Sequence, residues 1–140
     1  MAGIETKYKK VYASGKRKAA VAKAVVKTGE GKVTFNGTDY NTLHMFDKLK
    51  LEEPLRIAEA VLGKRDFDVA ITVKGGGDKG QIDAARLALA KGILDYSKSL
   101  ELKAAFLAYD RNLLVADVRR KEVCKPGDSK ARSKRQTSFR

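Results

Sequence analysis

Two groups of residues in this sequence have the types and spacing that suit contact with phosphate. The first is a basic cluster at residues 14–18, SGKRK, whose cationic groups pair with phosphate oxygens. We expect a glycine bend there that opens a strand, so that the charges stand on a rigid edge. The second is a glycine-rich loop at residues 75–81, where glycine lets the backbone approach a phosphate and a following helix N-terminus favours negative charge. Phosphate contact is therefore the first chemistry that the sequence predicts.

The glycine-rich loop also satisfies the G-x-G-x-x-G pattern of dinucleotide-binding proteins. Residues 75–80 lie between a predicted strand and a predicted helix, and Asp95 lies where a ribose-binding acid would be. However, Asp78 adds a negative charge, no second mononucleotide-binding half follows, and Lys79-Gly80-Gln81 is not the Gly-Lys-Ser/Thr of a P-loop. Nucleotide binding, a plain structural turn and contact with a nucleic-acid phosphate all stay open, and the last is favoured.

The C-terminal stretch is the most basic part of the sequence. Residues 119–140 hold nine Lys or Arg against Glu122 and Asp128, and Phe139 is the only large apolar side chain after Val123. Such a segment cannot bury enough apolar surface to offset its ordering entropy. We therefore expect an extended, solvated arm that folds only against an acidic partner.

The net charge of +13 lies at the two ends of the sequence. Residues 1–27 carry eight basic groups against Glu5, residues 119–140 carry nine against two, and residues 28–118 carry thirteen against fourteen. A neutral body with two basic ends predicts a polyanionic partner, with nucleic acid ahead of anionic membrane. No amphipathic basic helix, lipidation motif or long apolar run supports a membrane partner.

No pattern in the sequence predicts catalysis, a cofactor or a small-molecule substrate. Cys124 is the only cysteine, so neither a disulfide framework nor zinc-ligand spacing exists, and a reducing, intracellular compartment is expected. His44 is the only histidine and reads as a packed or surface residue. No serine or cysteine is recognisably paired with a base.

Periodicity predicts an α/β or α+β sandwich, in which a mixed sheet is covered by helices. We expect one globular domain over residues 1–124, loose at residues 1–10, and an extended basic tail over residues 125–140. The predicted elements are a β-hairpin of residues 19–27 and 32–36, a short helix from Thr38-Asp39 to Phe46, a helix from Glu52 to Gly63, a strand at 67–73, a helix at 81–94, a helix capped by Ser99, and a last strand or strap at 113–116.

Three stretches together resemble the small-subunit ribosomal protein family number nine, in its archaeal and eukaryotic-cytosolic branch. They are residues 14–37, residues 73–94, and LLVADVRRKE with the basic tail that follows. The resemblance implies a globular body in the head of the small subunit, embedded in ribosomal RNA beside neighbouring ribosomal proteins. It also implies a C-terminal arm that reaches the tRNA in the peptidyl site, and a role in translation in the cytoplasm.

The resemblance also implies roles for individual residues. Arg140 matches the terminal arginine that contacts the anticodon stem-loop of the peptidyl-site tRNA, and Phe139 stands where the family often has lysine or tyrosine, which favours stacking over a polar contact. Cys124 and Asp128 stand where basic or neutral residues are common. The residues expected to contact ribosomal RNA are Lys16, Arg17, Lys18, Gly75, Gly76, Gly77, Lys79, Gln81, Arg119, Arg120, Lys125, Lys130, Arg132, Lys134 and Arg135.

Two other functions compete with this interpretation. A small nucleotide-dependent enzyme would use the glycine loop and bind mononucleotides saturably. A free-standing RNA or DNA chaperone with basic arms would bind unrelated duplexes alike and would not associate with ribosomes.

Overall fold

The computed structural model describes residues 10–138 as a sheet with helices packed against one side. The strands are β1 Lys10–Arg17, β2 Ala20–Thr28, β3 Val33–Phe35, β4 Thr38–Asp39 and β5 Phe67–Lys74; the helices are α1 Met45–Leu62, α2 Asp78–Ser97 and α3 Leu100–Tyr109, with 3-10 turns at Tyr40–Thr42 and Arg111–Leu113.

The sheet is mixed, in the strand order β1-β2-β5-β3-β4. β2 is antiparallel to both β1 and β5, β3 is parallel to β5, and β4 is antiparallel to β3. The predicted fold class, a mixed sheet covered by helices, is confirmed.

Small residues bring α2 unusually close to the sheet. On β2, Ala20, Ala22, Ala24 and Val26 are buried, as the alternation predicts. At Gly15 on β1, an added Cβ would overlap the Ala84 carbonyl oxygen of α2 and lie 2.7 Å from the Ala88 nitrogen. Gly15 must therefore be glycine, because α2 backbone occupies the space of a side chain.

The predicted hairpin between residues 19–27 and 32–36 is wrong. β2 pairs instead with β1, through a turn in which Lys18 has a left-handed φ of 53°, and β3 joins the far side of β5. The Asp68 carboxylate of β5 accepts hydrogen bonds from the backbone N–H groups of Glu30 (3.0 Å) and Lys32 (2.9 Å). These bonds direct the chain towards β5, and local turn chemistry could not reveal them.

The separation of residues 38–63 into two predicted helices is also wrong. Asp39 caps only the 3-10 turn, and α1 then runs without a break from Met45 to Leu62, with Pro54 in its interior. A proline there costs about 3 kcal/mol relative to alanine. Leu51, Pro54 and Leu55 are buried on the face that packs on the other helices, and this burial offsets the lost hydrogen bond.

The remaining helices follow the predictions more closely. α2 contains the predicted helix and extends it at both ends, and the Ser99 hydroxyl caps α3 by accepting from the Leu102 N–H at 3.3 Å. Residues 113–116 form no strand: Leu113 ends the second 3-10 turn and is fully buried, as a strap would require, and residues 114–116 are neither helix nor strand. Lys10 already belongs to β1, and residues 1–9 lie outside the described part.

Candidate nucleic-acid interface

The basic cluster at residues 14–18 is divided between two sides of the sheet. Because side chains alternate along a strand, Lys16 points away from α2 and is exposed, whereas Arg17 points towards α2 with only 16% of its side chain exposed. Lys18 lies in the β1–β2 turn. The three predicted phosphate ligands therefore do not form one patch.

Arg17 joins β1 to the chain that follows α3. Its Nη1 lies 2.9 Å from Oδ2 of Asp117, and its Nε lies 3.9 Å from a carboxylate oxygen of Asp83 on α2. Arg17 Nη1 and Asp117 Oδ2 are close enough to form an ion pair, but their geometry is not that of a hydrogen bond. In this arrangement Arg17 holds the start of the C-terminal segment against the body.

Asp117 has a second arginine partner. The Arg119 guanidinium donates to Asp117 from Nη2 at 2.7 Å and from Nε at 3.0 Å, and the Arg119 backbone N–H donates at 2.9 Å. These hydrogen bonds lower the pKa of the Asp117 carboxyl from 3.8 to about 2. Arg119, which is 78% exposed, can reach an RNA phosphate only in competition with this carboxylate.

The glycine-rich loop packs on the β1–β2 turn. Gly75 and Gly76 have φ of 76° and 69°, and a Cβ on them would lie 2.8 Å from the Ala19 carbonyl oxygen and 2.9 Å from the Ala20 nitrogen. Gln81 donates from Nε2 to the Gly75 carbonyl oxygen at 3.2 Å. These contacts give the loop a structural reason for its glycines, and they bring it beside the basic turn at Lys18.

The end of the glycine-rich loop begins α2. Gly77 is the N-cap residue, and Lys79 in the first turn pairs with Asp47 of α1 at 2.7 Å. Lys79 is thus a partly neutralised cation. β5 is antiparallel to β2, and α2 leads into α3 rather than into a parallel strand, so the doubly wound arrangement of dinucleotide-binding proteins is not formed.

The C-terminal segment has no helix or strand from residue 114 to residue 138. It bends back locally: Arg132 Nε lies 2.9 Å from a Glu122 oxygen, and the Arg135 N–H donates to Asp128 at 3.0 Å. Of its predicted RNA ligands, those whose exposed side chains pair with no carboxylate of the described residues are Arg120, Lys125, Lys130, Lys134 and Arg135. Phe139 and Arg140 lie outside the described residues.

Five further lysines lie on the same side of the sheet as Lys16, on a face for which the sequence predicted no site. We use "open face" for the face of the sheet turned away from α2. Its lysines are Lys10, Lys16, Lys23, Lys27, Lys32 and Lys74. The alternation of β2 already placed Lys23 and Lys27 opposite the buried alanines, but the neighbours of β2 could not be read from the sequence.

Other kinds of site find no support among residues 10–138. No three His, Cys, Asp or Glu there are arranged to hold a metal ion, and the thiol of Cys124 is exposed. Nor does this part contain a helix with the length and apolar character needed to cross a bilayer.

Comparison with known proteins decides the family. The family described as ribosomal protein S9/S16 matches residues 15–140 of this chain. The chain belongs to this family. It is therefore a ribosomal protein, a structural component and not an enzyme, and the resemblance seen in the sequence is confirmed.

Archaeal relatives are similar along almost their whole length. The small ribosomal subunit protein uS9 of Methanococcus vannielii is 44% identical over 135 residues, which cover 94% of this chain and 99% of the relative. The protein of that name from Thermoplasma volcanium is 47% identical over 132 residues, covering 93% and 98%, and that of Picrophilus torridus is 46% identical over 130 residues, covering 90% and 94%.

Proposed function

We propose that this chain assembles into the head of the small ribosomal subunit in the cytoplasm, binds ribosomal RNA there, and reaches the peptidyl-site tRNA with Phe139 and Arg140. Its relatives are named as small-subunit proteins, and its family is that of ribosomal protein S9/S16. Neighbouring proteins of the head would complete its surroundings.

The placement of unpaired cations is the observation that supports RNA binding. Lys79, Arg119 and Arg132 carry intramolecular carboxylate partners, whereas Lys18, Arg120 and the tail lysines carry none within the described residues. An unpaired cation that meets a phosphate releases a counterion, and this release is the main sequence-independent source of affinity for nucleic acid. The ends of the chain thus supply the positive charge that binds RNA, and the packed body fixes where these charges lie.

The tail has the composition of a segment that folds on its partner. Residues 121–127 and 132–138 are exposed, and the contacts around Asp128 join only residues of the tail itself. Such local contacts are worth little in water and are exchanged easily for RNA phosphates. Assembly would therefore order the tail, and Arg132 would exchange the Glu122 carboxylate for a phosphate.

Sedimentation of a cell extract tests this function. The chain is followed on a density gradient at low and high salt, with and without ribonuclease. We expect it to migrate with small subunits, to resist moderate salt and to be released by ribonuclease. Migration as a free protein of 15.4 kDa would contradict the proposal, and binding of mononucleotides or of unrelated duplexes would then separate the two competing functions.

A further inference from the structure

The open face of the sheet is uncovered in the described part of the chain. α2 packs on β1, β2 and β5, and α1 and α3 pack on α2, so these helices all lie on the other side. Gly15 touches the α2 backbone, and a Cβ on Gly92 of α2 would lie 2.7 Å from Val26. The residues that alternate with Gly15 and Val26 therefore face outwards, and Tyr12 among them is 72% exposed.

The open face is strongly basic. Against its six lysines stand Asp68 on β5 and Asp39 on β4, and both carboxylates are engaged. Asp68 accepts from two backbone N–H groups, and Asp39 accepts from the N–H of Asn41 at 3.1 Å. Of the six lysines only Lys27 approaches a carboxylate of the described residues, at 3.9 Å from Asp68. The face is thus complementary to a polyanion.

Strand register arranges the lysines in two groups. Lys10 lies opposite Lys27, and Lys32 lies at the same level on the far side of β5. Lys16 and Lys74 both lie opposite Val21, and Lys23 lies one pleat away on the same face. Because the groups are four to six residues apart along the strands, at ~3.3 Å a residue they are separated by roughly 13–20 Å.

The band between the two groups has no charge on β1, β2, β5 and β3, and it ends at Asp39 on β4. Register brings Tyr12, Val25, Ala70 and Thr34 into one row across four strands. Tyr12 is the one aromatic residue on the described open face, whereas sheets that bind single-stranded RNA stack successive bases on several aromatics. Lysine, as a point charge on a flexible stem, suits a phosphate backbone better than a base edge. The open face is therefore better suited to contact two phosphate backbones than to stack bases.

We propose that the open face binds a double-stranded segment of RNA across its wide, shallow minor groove. One lysine group contacts each backbone, and the neutral band lies under the groove. Thr34 lies in this band, and Ser14 and Thr72 lie at its edge on either side of Lys23, where their hydroxyls are placed to meet ribose hydroxyls. This inference rests on the proposed function, because ribosomal RNA supplies the duplex, and it adds a surface that the sequence motifs did not indicate.

Directed cleavage of RNA inside the assembled subunit tests the inference. In a Cys124→Ala background, Ala70→Cys puts one thiol in the neutral band without removing a lysine, and Ala104→Cys puts one on the exposed surface of α3 as the matched control. Each full-length variant is coupled to iron-EDTA, assembled into small subunits and activated. We expect Ala70→Cys to cut both strands of one helical segment and Ala104→Cys to leave that segment intact.

The outcomes separate this inference from the proposed function. If both variants enter the subunit but Ala70→Cys cuts only single-stranded RNA, or none, the duplex platform is wrong while the ribosomal function stands. If cuts from Ala104→Cys fall in the same segment, the open face has no special role. If the unsubstituted chain does not enter the subunit, the proposed function fails and the inference fails with it.

Salt dependence provides a second, independent test. The triple variant Lys23→Gln, Lys27→Gln, Lys74→Gln is compared with Lys64→Gln, Lys91→Gln, Lys103→Gln, which removes the same charge away from the open face. The probe is an RNA duplex of about 16 base pairs. We expect the first triple to reduce the slope of log affinity against log salt by roughly 2 to 3, and the control to leave it unchanged. Equal effects of the two triples would overturn the proposal.

Discussion

At the scale of single residues, Asp117 is the most perturbed acid in the described part of the chain. Its pKa lies at about 2 rather than 3.8, chiefly because Arg119 donates to it from side chain and backbone. A lowered pKa means that folding favours the charged form, so its contribution to stability is complete above about pH 4 and is lost as the pH falls towards 2. The attachment of the C-terminal segment to the body should therefore weaken only in strong acid.

Titration of Asp117 followed by carboxyl carbon NMR checks this prediction. Asp117→Asn assigns the resonance, and Arg119→Gln should move the pKa of Asp117 up towards 3.8, although the ion pair with Arg17 remains. Arg120→Gln is the matched control, since Arg120 is exposed and has no carboxylate partner among the described residues. A resonance that titrates at the ordinary value in the unsubstituted chain would show that the two arginines do not hold Asp117.

Gly15 allows a second prediction at this scale. Gly15→Ala should destabilise the fold by about 1–3 kcal/mol, because the added methyl group meets the backbone of α2, which cannot turn aside as a flexible side chain would. Urea unfolding measures the change, and Ser14→Ala, on the exposed side of the same strand, is the control. Equal stabilities of the two variants would mean that α2 does not pack as closely as described.

At the scale of elements, Asp68 determines where β3 goes. Asp68→Ala removes the acceptor of the Glu30 and Lys32 N–H groups and should cost about 1–3 kcal/mol, whereas Asp68→Asn, which keeps a side-chain oxygen, should cost less. Chemical denaturation gives both values, with the exposed Asp95→Ala as control. If Asp68→Ala and Asp68→Asn both left the free energy of unfolding unchanged, the Asp68 carboxylate would not be what directs the chain across β5.

The elements also show how far sequence patterns reached. Alternation in β2 and β5, the alanine-rich face of α2 and the Ser99 cap are local signals, and the structure confirms them. β1 was missed because its face towards α2 carries Ala13, Gly15 and Arg17, so the strand shows little apolar alternation. The position of β3 and the unbroken α1 depend on Asp68 and on burial of Pro54, which are tertiary contacts.

Sequence patterns revealed only part of the candidate interface. The residue types that bind phosphate were visible in the sequence, but the ion pairs that they make with carboxylates were not. Asp117 is close in sequence to Arg119 and far from Arg17, so only the folded chain shows that one carboxylate holds both. The open face needed the order of the strands, because its lysines come from segments as distant as Lys10 and Lys74. The RNA contacts themselves remain predictions.

At the scale of the whole molecule, charge and packing are separate. The buried residues end at Leu113, and the described tail beyond residue 124 contains no fully buried side chain. Deleting residues 125–140 should therefore leave the free energy of unfolding within about 0.5 kcal/mol of the full chain. The deletion removes Lys125, Lys130, Arg132, Lys134, Arg135 and Arg140, so binding to ribosomal RNA should become weaker and less dependent on salt.

Urea unfolding and binding at several salt concentrations measure the two effects on the same preparation. A control that replaces Ser129, Ser133 and Thr137 by alanine keeps the length and charge of the tail and should match the full chain in both. A large loss of stability on deletion would mean that the tail packs on the body, and an unchanged salt dependence would mean that its cations do not meet phosphate.

The last prediction concerns Phe139 and Arg140 and their contact with tRNA. If Arg140 contacts the anticodon stem-loop of the peptidyl-site tRNA, Arg140→Ala should leave assembly of the subunit intact, because the cations that meet ribosomal RNA remain. Binding of the tRNA should weaken roughly ten- to hundredfold, since a hydrogen bond to a charged group is worth about 1.5–3 kcal/mol, and errors of reading frame should rise. Arg140→Lys should restore binding only in part, because lysine cannot fork two phosphate oxygens.

Filter binding of tRNA to purified subunits and a frameshift reporter measure these effects, with Ser138→Ala as the neighbouring control. Phe139→Ala separates stacking from charge. Loss of a stacked ring should weaken tRNA binding by about 1–3 kcal/mol, and this loss should depend little on salt, unlike the loss caused by Arg140→Ala. If Arg140→Ala subunits assembled normally, bound tRNA as tightly and kept the frame as well as the control, the proposed contact would be wrong. The tail would then act on ribosomal RNA alone, and its length would need another explanation.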